Sequence, residues 1–137
     1  MVKRSLNNKQ LNINDINGIT LISDDKKIPY WNVNILKNRK NNIQYGKDKT
    51  GDIYKLYNSL DYIKSHKQKC YLVTSDCGFD FSDNYNEQEN NSIKLLYSEI
   101  FIAINVQKNK GNFVIKVFDI LNIKTIQIFN MFLFCIN

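Results

Sequence analysis

The sequence has 137 residues, which is enough for one domain of ordinary size and too few for two. Hydrophobic residues make up 43% of it and charged residues 23%, with one proline and five glycines. This composition excludes a disordered linker, a collagen-like chain and a loop-rich disulfide scaffold. The formal net charge of +6 suits a polyanionic partner, nucleic acid being the specific alternative to an ordinary solvated surface of scattered lysines.

Cysteine and histidine usage bounds the kind of site that the chain can hold. The three cysteines form no CxxC pair, so we expect a reducing compartment and a cytoplasmic protein. His66 is the single histidine, which excludes the usual zinc sites and histidine-based catalytic triads, and we expect no metal. Met1–Gln10 lacks the apolar core of a signal peptide, and Ile126–Ile136 is shorter than the roughly 20 residues of a membrane span.

Strand-length apolar runs alternate with amphipathic segments of helix length along most of the chain. Residues 1–17 are polar and rich in asparagine, which predicts a weakly ordered arm before a domain at 18–137. The later pattern predicts, in chain order, strands and helices at Gly18–Ser23 (strand), Ile43–Tyr45 (strand), Ile53–Ser65 (helix), Cys70–Ser75 (strand), Gln88–Gln107 (helix), Asn112–Phe118 (strand) and Leu121–Phe134 (helix). Gly111 is expected to stop the longest helix. The alternation predicts an α/β fold whose parallel sheet is covered on both faces.

Three places lie at or just after the carboxyl ends of predicted strands, where ligands bind in open α/β sheets. Asp76 comes directly after Cys70–Ser75, and it could hold a ligand or simply shape a turn. Lys116 lies within an apolar run, so its ammonium must either reach the surface or meet a carboxylate. The loop 46–52 (GKDKTGD) is a weak phosphate-binding signal because it lacks the GxxxxGK[ST] pattern.

Three sequence blocks are together more specific than any one of these features. They are YGKDKTGDI at 45–53, LVTSDCGFD at 72–80 and GNFVIKVFD at 111–119. In order and spacing they resemble the FtsJ-like family, and within it the cap-specific mRNA 2′-O-methyltransferases, including those of large DNA viruses. The resemblance covers about residues 18–125. It implies a Rossmann-like sheet that binds S-adenosylmethionine and methylates a ribose 2′-hydroxyl of RNA, with capped mRNA as the expected partner.

The resemblance also implies roles for particular residues. The family uses a Lys-Asp-Lys-Glu tetrad, in which Asp76 matches the aspartate and Lys116 matches the second lysine. Asp52 matches a residue at the adenine end of the cofactor, and with Ile53 and Asp76 it makes up the expected cofactor-binding set. A lysine beside the ribose hydroxyl would favour its developing negative charge, and an aspartate would hold that lysine in place.

Other parts of the family pattern have no match here. The family's first tetrad lysine and glycine-rich cofactor loop precede the block that matches Gly18, and its closing glutamate lies in an SRPANSE block beyond the last helix. The sequence therefore predicts a partial domain without the first strand, the glycine loop and the C-terminal strands, and little activity of this chain alone. The alternatives are a non-catalytic RNA-binding or interaction remnant, and a chain that folds poorly because a sheet edge is exposed.

Overall fold

Strands and helices alternate along the residues that the structure describes. This computed structural model describes residues 16–25, 28, 31, 33–37, 41–78 and 87–136. The elements are β1 (Ile16–Ile19), α1 (Val33–Lys37), β2 (Asn41–Gln44), α2 (Leu56–Ser65), β3 (Cys70–Ser75), α3 (Gln88–Val106), β4 (Gln107–Ile115) and α4 (Ile123–Ile136). The predicted α/β class is confirmed, and so are the three long helices, apart from shifts at their ends. The five-residue helix α1 was not predicted.

The first strand differs from its prediction at both ends. Ile16 and Asn17, which the sequence analysis assigned to the polar arm, are the first residues of β1, and residues 1–15 lie outside the described part of the chain. The strand ends at Ile19 because the following segment bonds to a different part of the molecule. The backbone N–H of Ile22 donates to the carbonyl oxygen of Thr50 at 2.8 Å, which ties this segment to the loop after β2.

The last strand starts earlier than predicted. Gly111 does not stop α3, because the helix ends at Val106 and β4 begins at the next residue. A Cβ atom at Gly111 would lie 3.0 Å from the carbonyl oxygen of Tyr71, so glycine lets the two strands approach closely here. The strand ends at Ile115, which leaves Lys116 just past its carboxyl end.

The strands pair in parallel, as predicted, but the described strands form two separate pairs. In the first, β1 pairs with β2, with Gly18 opposite Ile43. In the second, β3 pairs with β4, with Val73 opposite Phe113. No strand among the described residues bridges the two pairs, so the single sheet of the prediction is not formed by this part of the chain.

The helices cover one face of the β3–β4 sheet. Val73 packs against a core formed by Tyr62 of α2 with Ile102 and Val106 of α3. The ring of Phe113, on the same face as Val73, meets that of Phe132 of α4 edge-on, with 5.6 Å between their centroids. The prediction of coverage on both faces is therefore wrong for the described residues. The opposite face leaves side chains about half exposed, namely Leu72 (47%) and Val114 (58%).

Candidate active site

Asp76 and Lys116 meet at the carboxyl ends of β3 and β4. The backbone N–H of Lys116 donates to the carbonyl oxygen of Ser75 at 3.0 Å, which carries the pairing one residue past the end of β4. The Lys116 Nζ then lies 2.9 Å from Oδ1 of Asp76. Both side chains are exposed, at 55% and 76% respectively. Lys116 thus reaches the surface and also meets a carboxylate. A pair this exposed adds little to stability, so its chemistry is more informative than its energetics.

A buried carboxylate holds the backbone on both sides of Asp76. Oε1 of Glu99, from α3, accepts a hydrogen bond from the Ser75 hydroxyl at 2.5 Å and another from the backbone N–H of Cys77 at 3.1 Å. Only 6% of Glu99 is exposed. The residues before and after Asp76 are therefore bonded to a single oxygen atom. This arrangement restricts the direction in which Asp76 projects and so helps to position it.

Burial changes the acid–base behaviour of this turn. Desolvation raises the pKa of Glu99, although the hydrogen bonds from Ser75 and Cys77 oppose the shift. Desolvation and the charge of Glu99 also raise the pKa of the Cys77 thiol to about 12. Both effects favour the protonated thiol of Cys77 over the thiolate at neutral pH.

We expect Glu99→Gln to show the cost of the buried charge as a pH-dependent gain in stability. Because the folded-state pKa of Glu99 lies above the ordinary value of 4.5, ionisation weakens the folded state as pH rises through the raised pKa. The free energy of unfolding of the variant should therefore increase relative to the parent chain over that range and stay constant above it. Urea denaturation at a series of pH values measures this difference. Glu87→Gln, at an exposed carboxylate just before α3, is the control, and a pH-independent difference for Glu99→Gln would contradict the interpretation.

The loop after β2 is organised around Asp48. Its carboxylate accepts hydrogen bonds from the Lys55 ammonium at 2.8 Å and from the Thr50 hydroxyl at 2.7 Å. These bonds hold the pKa of Asp48 well below its usual range. A loop built around a carboxylate is unsuited to a phosphate group, so the structure gives the weak phosphate-binding signal of the sequence another explanation.

The side chain of Asn58, in α2, holds the loop after β2 through hydrogen bonds to Asp48 and Asp52. It is completely buried and donates to Oδ1 of Asp48 at 2.8 Å and to the carbonyl oxygen of Asp52 at 3.0 Å. Its own side-chain oxygen accepts from the backbone N–H of Asp48 at 3.1 Å. One amide side chain therefore links the start of the loop to Asp52, and neither Asn58 nor Asp48 was singled out by the sequence analysis.

Asp52 and Ile53 have different environments. One carboxylate oxygen of Asp52 accepts from the backbone N–H of Tyr54 at 2.9 Å, and the half-exposed carboxylate has a second oxygen without a hydrogen bond to the described residues. That second oxygen is chemically able to accept a hydrogen bond from a hydroxyl or an amino group. Ile53 instead packs against the core around Tyr62. The Ile53 side chain therefore contributes to the core, and only the backbone of Ile53 remains for a contact with the cofactor.

Tyr54 connects the loop electrostatically with the turn at Asp76. Burial raises the pKa of its hydroxyl to about 12, and the charges of Asp52 and Glu99 contribute to the shift. Since Asp52 follows β2 and Glu99 supports the end of β3, the candidate cofactor residue and the carboxylate behind Asp76 both act on the Tyr54 hydroxyl. The Lys94 ammonium lies over the Tyr54 ring, 4.5 Å from its centroid.

A cleft runs from Lys116 to the start of α4. Its lining includes Glu99, Asp119 and Thr125. The hydroxyl of Thr125 is buried and has no hydrogen-bond partner in the described part of the chain. The described residues contain no group of three or more metal-binding side chains, and none of their helices is long and apolar enough to cross a membrane.

Comparison with known proteins gives one consistent family. The family model of the FtsJ-like methyltransferases matches residues 6–133. This range extends at both ends beyond residues 18–125, which the sequence blocks covered. The cap-specific mRNA (nucleoside-2′-O-)-methyltransferase 2 of Pongo abelii is 38% identical over 76 residues, 54% of this chain and 10% of the relative. The corresponding enzyme 1 of Trypanosoma brucei brucei is 36% identical over 77 residues, 55% of this chain and 21% of the relative.

A viral relative has a name of the same kind. The cap-specific mRNA (nucleoside-2′-O-)-methyltransferase of Autographa californica nuclear polyhedrosis virus is 32% identical over 87 residues, 64% of this chain and 33% of the relative. The matches to these three relatives thus span between a tenth and a third of their lengths. The family model, by contrast, covers nearly the whole chain. The chain belongs to the FtsJ-like methyltransferase family.

Proposed function

We propose that the chain carries part of the catalytic site of an RNA ribose 2′-O-methyltransferase that acts on capped mRNA and uses S-adenosylmethionine. The observation that carries the proposal is the Lys116–Asp76 ion pair of 2.9 Å at the carboxyl ends of two parallel strands. These are the two tetrad positions that the family resemblance assigns to this sequence. The names of the matched relatives support the mRNA cap as substrate.

The ion pair has the chemistry that methylation of a hydroxyl requires. A ribose 2′-hydroxyl is a weak nucleophile, and its oxygen carries negative charge only as its proton passes to solvent water during the attack. The Lys116 ammonium can hold that oxygen and stabilise its charge, while Asp76 keeps the ammonium at the end of the strands. Because both side chains are exposed, an RNA ribose can reach them from solvent without any movement of the sheet.

Asp52 is the described residue that best fits the nucleoside end of the cofactor. The carboxylate oxygen that has no hydrogen bond to the described residues can accept from a ribose hydroxyl or an adenine amino group, and Asn58 holds the backbone of Asp52 in place. When bound, S-adenosylmethionine supplies a methyl group already activated on a sulfonium. The protein then mainly has to place the hydroxyl in line with it, and orientation of this kind can account for ~7–11 kcal/mol of a barrier.

Methyl transfer by the native gene product tests the proposal. The protein is isolated from its source with an antibody raised against the 137-residue chain, and its length is measured by mass spectrometry. We expect it to transfer labelled methyl groups from S-adenosylmethionine to capped RNA, and nuclease digestion to release a 2′-O-methylated nucleoside. The recombinant chain is assayed in parallel, and we expect it to be far less active because two tetrad positions have no match in its sequence.

The alternative function is RNA binding without catalysis, which the net charge of +6 favours. It predicts salt-sensitive retention of RNA that survives both Asp76→Ala and Lys116→Ala, with no methyl transfer by the native product. Methyl transfer to uncapped RNA at the same rate as to capped RNA would contradict the cap as substrate, while leaving RNA methylation in place.

A further inference from the structure

Four exposed lysines gather at the amino ends of β3 and β4, opposite the candidate active site. Lys67 and Lys69 flank Gln68 before β3, and Lys108 and Lys110 flank Asn109 at the start of β4; we call these four lysines the amino-end lysine patch. Folding joins the two K-x-K segments because Cys70 pairs with Gln107. The Lys69 ammonium also donates to the carbonyl oxygen of Asn105, which ties the first segment to the end of α3.

The second segment is a bulge in β4, and both of its lysines are exposed. Two steps along β3, from Cys70 to Leu72, are matched by five steps along β4, from Gln107 to Asn112. The three additional residues are accommodated with Lys110 at a φ of 60°, a left-handed conformation that is uncommon for lysine. Such bulges re-aim side chains, and strained backbone of this kind is found more often where a surface has a function.

The charge of the patch is not neutralised by the rest of the described structure. None of its four lysines forms an ion pair with a described carboxylate. The ion pairs seen between described side chains, Lys55–Asp48 and Lys116–Asp76, follow the carboxyl ends of β2, β3 and β4 instead. The acceptors of the patch are thus a backbone carbonyl at Lys69 and an aromatic ring at Lys108.

That ring belongs to Tyr71, which adds a second kind of contact. Tyr71 is 45% exposed, and the Lys108 ammonium lies 4.5 Å from its ring centroid. Lysines that can neutralise phosphates, next to an exposed aromatic ring on which a base can stack, are the two elements of sequence-tolerant binding to single-stranded nucleic acid.

We propose that the amino-end lysine patch, together with Tyr71, binds a single-stranded part of the RNA substrate at a distance from the nucleotide that is methylated. The choice of RNA as the occupant rests on the proposed function. The six residues of β3 separate the patch from Asp76 by about 20 Å, at roughly 3.3 Å per residue. A short RNA therefore reaches only one of the two sites, whereas a longer one reaches both.

Binding of uncapped single-stranded RNA without cofactor tests the patch independently of methyl transfer. The patch variant replaces Lys67, Lys108 and Lys110 by glutamine. The matched control replaces three other exposed lysines, Lys37, Lys94 and Lys124, so the change in net charge is the same. Each set contains one lysine that lies over a tyrosine ring, Lys108 over Tyr71 and Lys94 over Tyr54. Circular dichroism and thermal unfolding confirm that both variants are folded.

We expect the patch variant to bind an RNA of about 16 nucleotides at least about tenfold more weakly at low salt, and the control to change affinity less than about threefold. The slope of log affinity against log salt should fall by about 2 for the patch variant, at about 0.7 per lost phosphate contact on a single strand. Tyr71→Ala should weaken binding by about tenfold while Tyr71→Phe retains it, because the ring remains available for stacking.

Equal effects of the two lysine variants would overturn the proposal, because overall charge would then explain binding. The proposal would also be overturned if the patch variant bound RNA as tightly as the parent chain does. It would fail as well if polyglutamate of the same charge displaced the RNA as effectively as unlabelled RNA does. The proposed function fails separately, through absent methyl transfer by the native product. The two failures are distinguishable because the binding assay contains neither a cap nor S-adenosylmethionine.

Discussion

Lys116→Ala is expected to lower the rate of methyl transfer by the native gene product by about 10²–10⁴-fold, the range for loss of a group that assists a proton or charge in the transition state. Among the described residues, Lys116 places a positive charge just past the carboxyl end of β4, where its Nζ lies 2.9 Å from Oδ1 of Asp76. Without it, the attacking hydroxyl loses the charge that favours its ionised form. Initial rates with labelled S-adenosylmethionine and capped RNA measure the loss.

The same experiment separates catalysis from folding. Because the ion pair is exposed, neither Lys116→Ala nor Asp76→Asn should shift thermal unfolding appreciably. Lys124→Ala, at an exposed lysine of α4, is the matched control and should leave the rate unchanged. The double variant Asp76→Asn with Lys116→Ala should be about as slow as the slower single variant, because residues that act as a unit have non-additive effects. If the fold-loss in rate of the double variant equalled the product of the two single losses, the two side chains would instead act independently.

The elements that the sequence predicted best are those whose pattern is local. The start of α3 was predicted at Gln88 and its end to within one residue, and Cys70–Ser75 was predicted at its observed bounds. Asp76 and Lys116 were singled out because Asp76 follows one predicted strand and Lys116 lies near the end of another, and parallel strands bring their carboxyl ends together. The sequence could not show that the two side chains would form an ion pair, since that depends on the β3–β4 register.

The supporting residues were missed for a different physical reason. Glu99 lies in the apolar stripe of α3 between Leu96 and Ala103, and a carboxylate there is the one signal that could have revealed it. Its partners, Ser75 and Cys77, are more than 20 residues away in sequence. The bulge of β4 was hidden in the same way: Lys108–Gly111 resembles a helix stop, and only pairing with β3 makes it part of a strand.

Gly51→Ala should be the most destabilising substitution in the loop that carries Asp52. Gly51 has a φ of 71°, which disfavours any residue with a Cβ atom, and that atom would lie 1.7 Å from the carbonyl oxygen of Thr20. The clash is with backbone, so no rotation of a side chain relieves it. The segment after β1 would have to separate from the loop and break the bond between Ile22 and Thr50. We expect a loss of about 3 kcal/mol or more in the free energy of unfolding.

Gly78→Ala provides the control for this prediction. A Cβ atom there would lie 3.6 Å from a ring carbon of Phe118, an ordinary contact, and the φ of Gly78 is not in the left-handed region. Its effect should stay within about 1 kcal/mol, and it can be stabilising because alanine restricts the unfolded chain. Thermal unfolding should therefore separate the two variants by about 7 °C or more. Similar melting temperatures would show that the loop can move away from Thr20, and that Asp52 is held less firmly than its hydrogen bonds indicate.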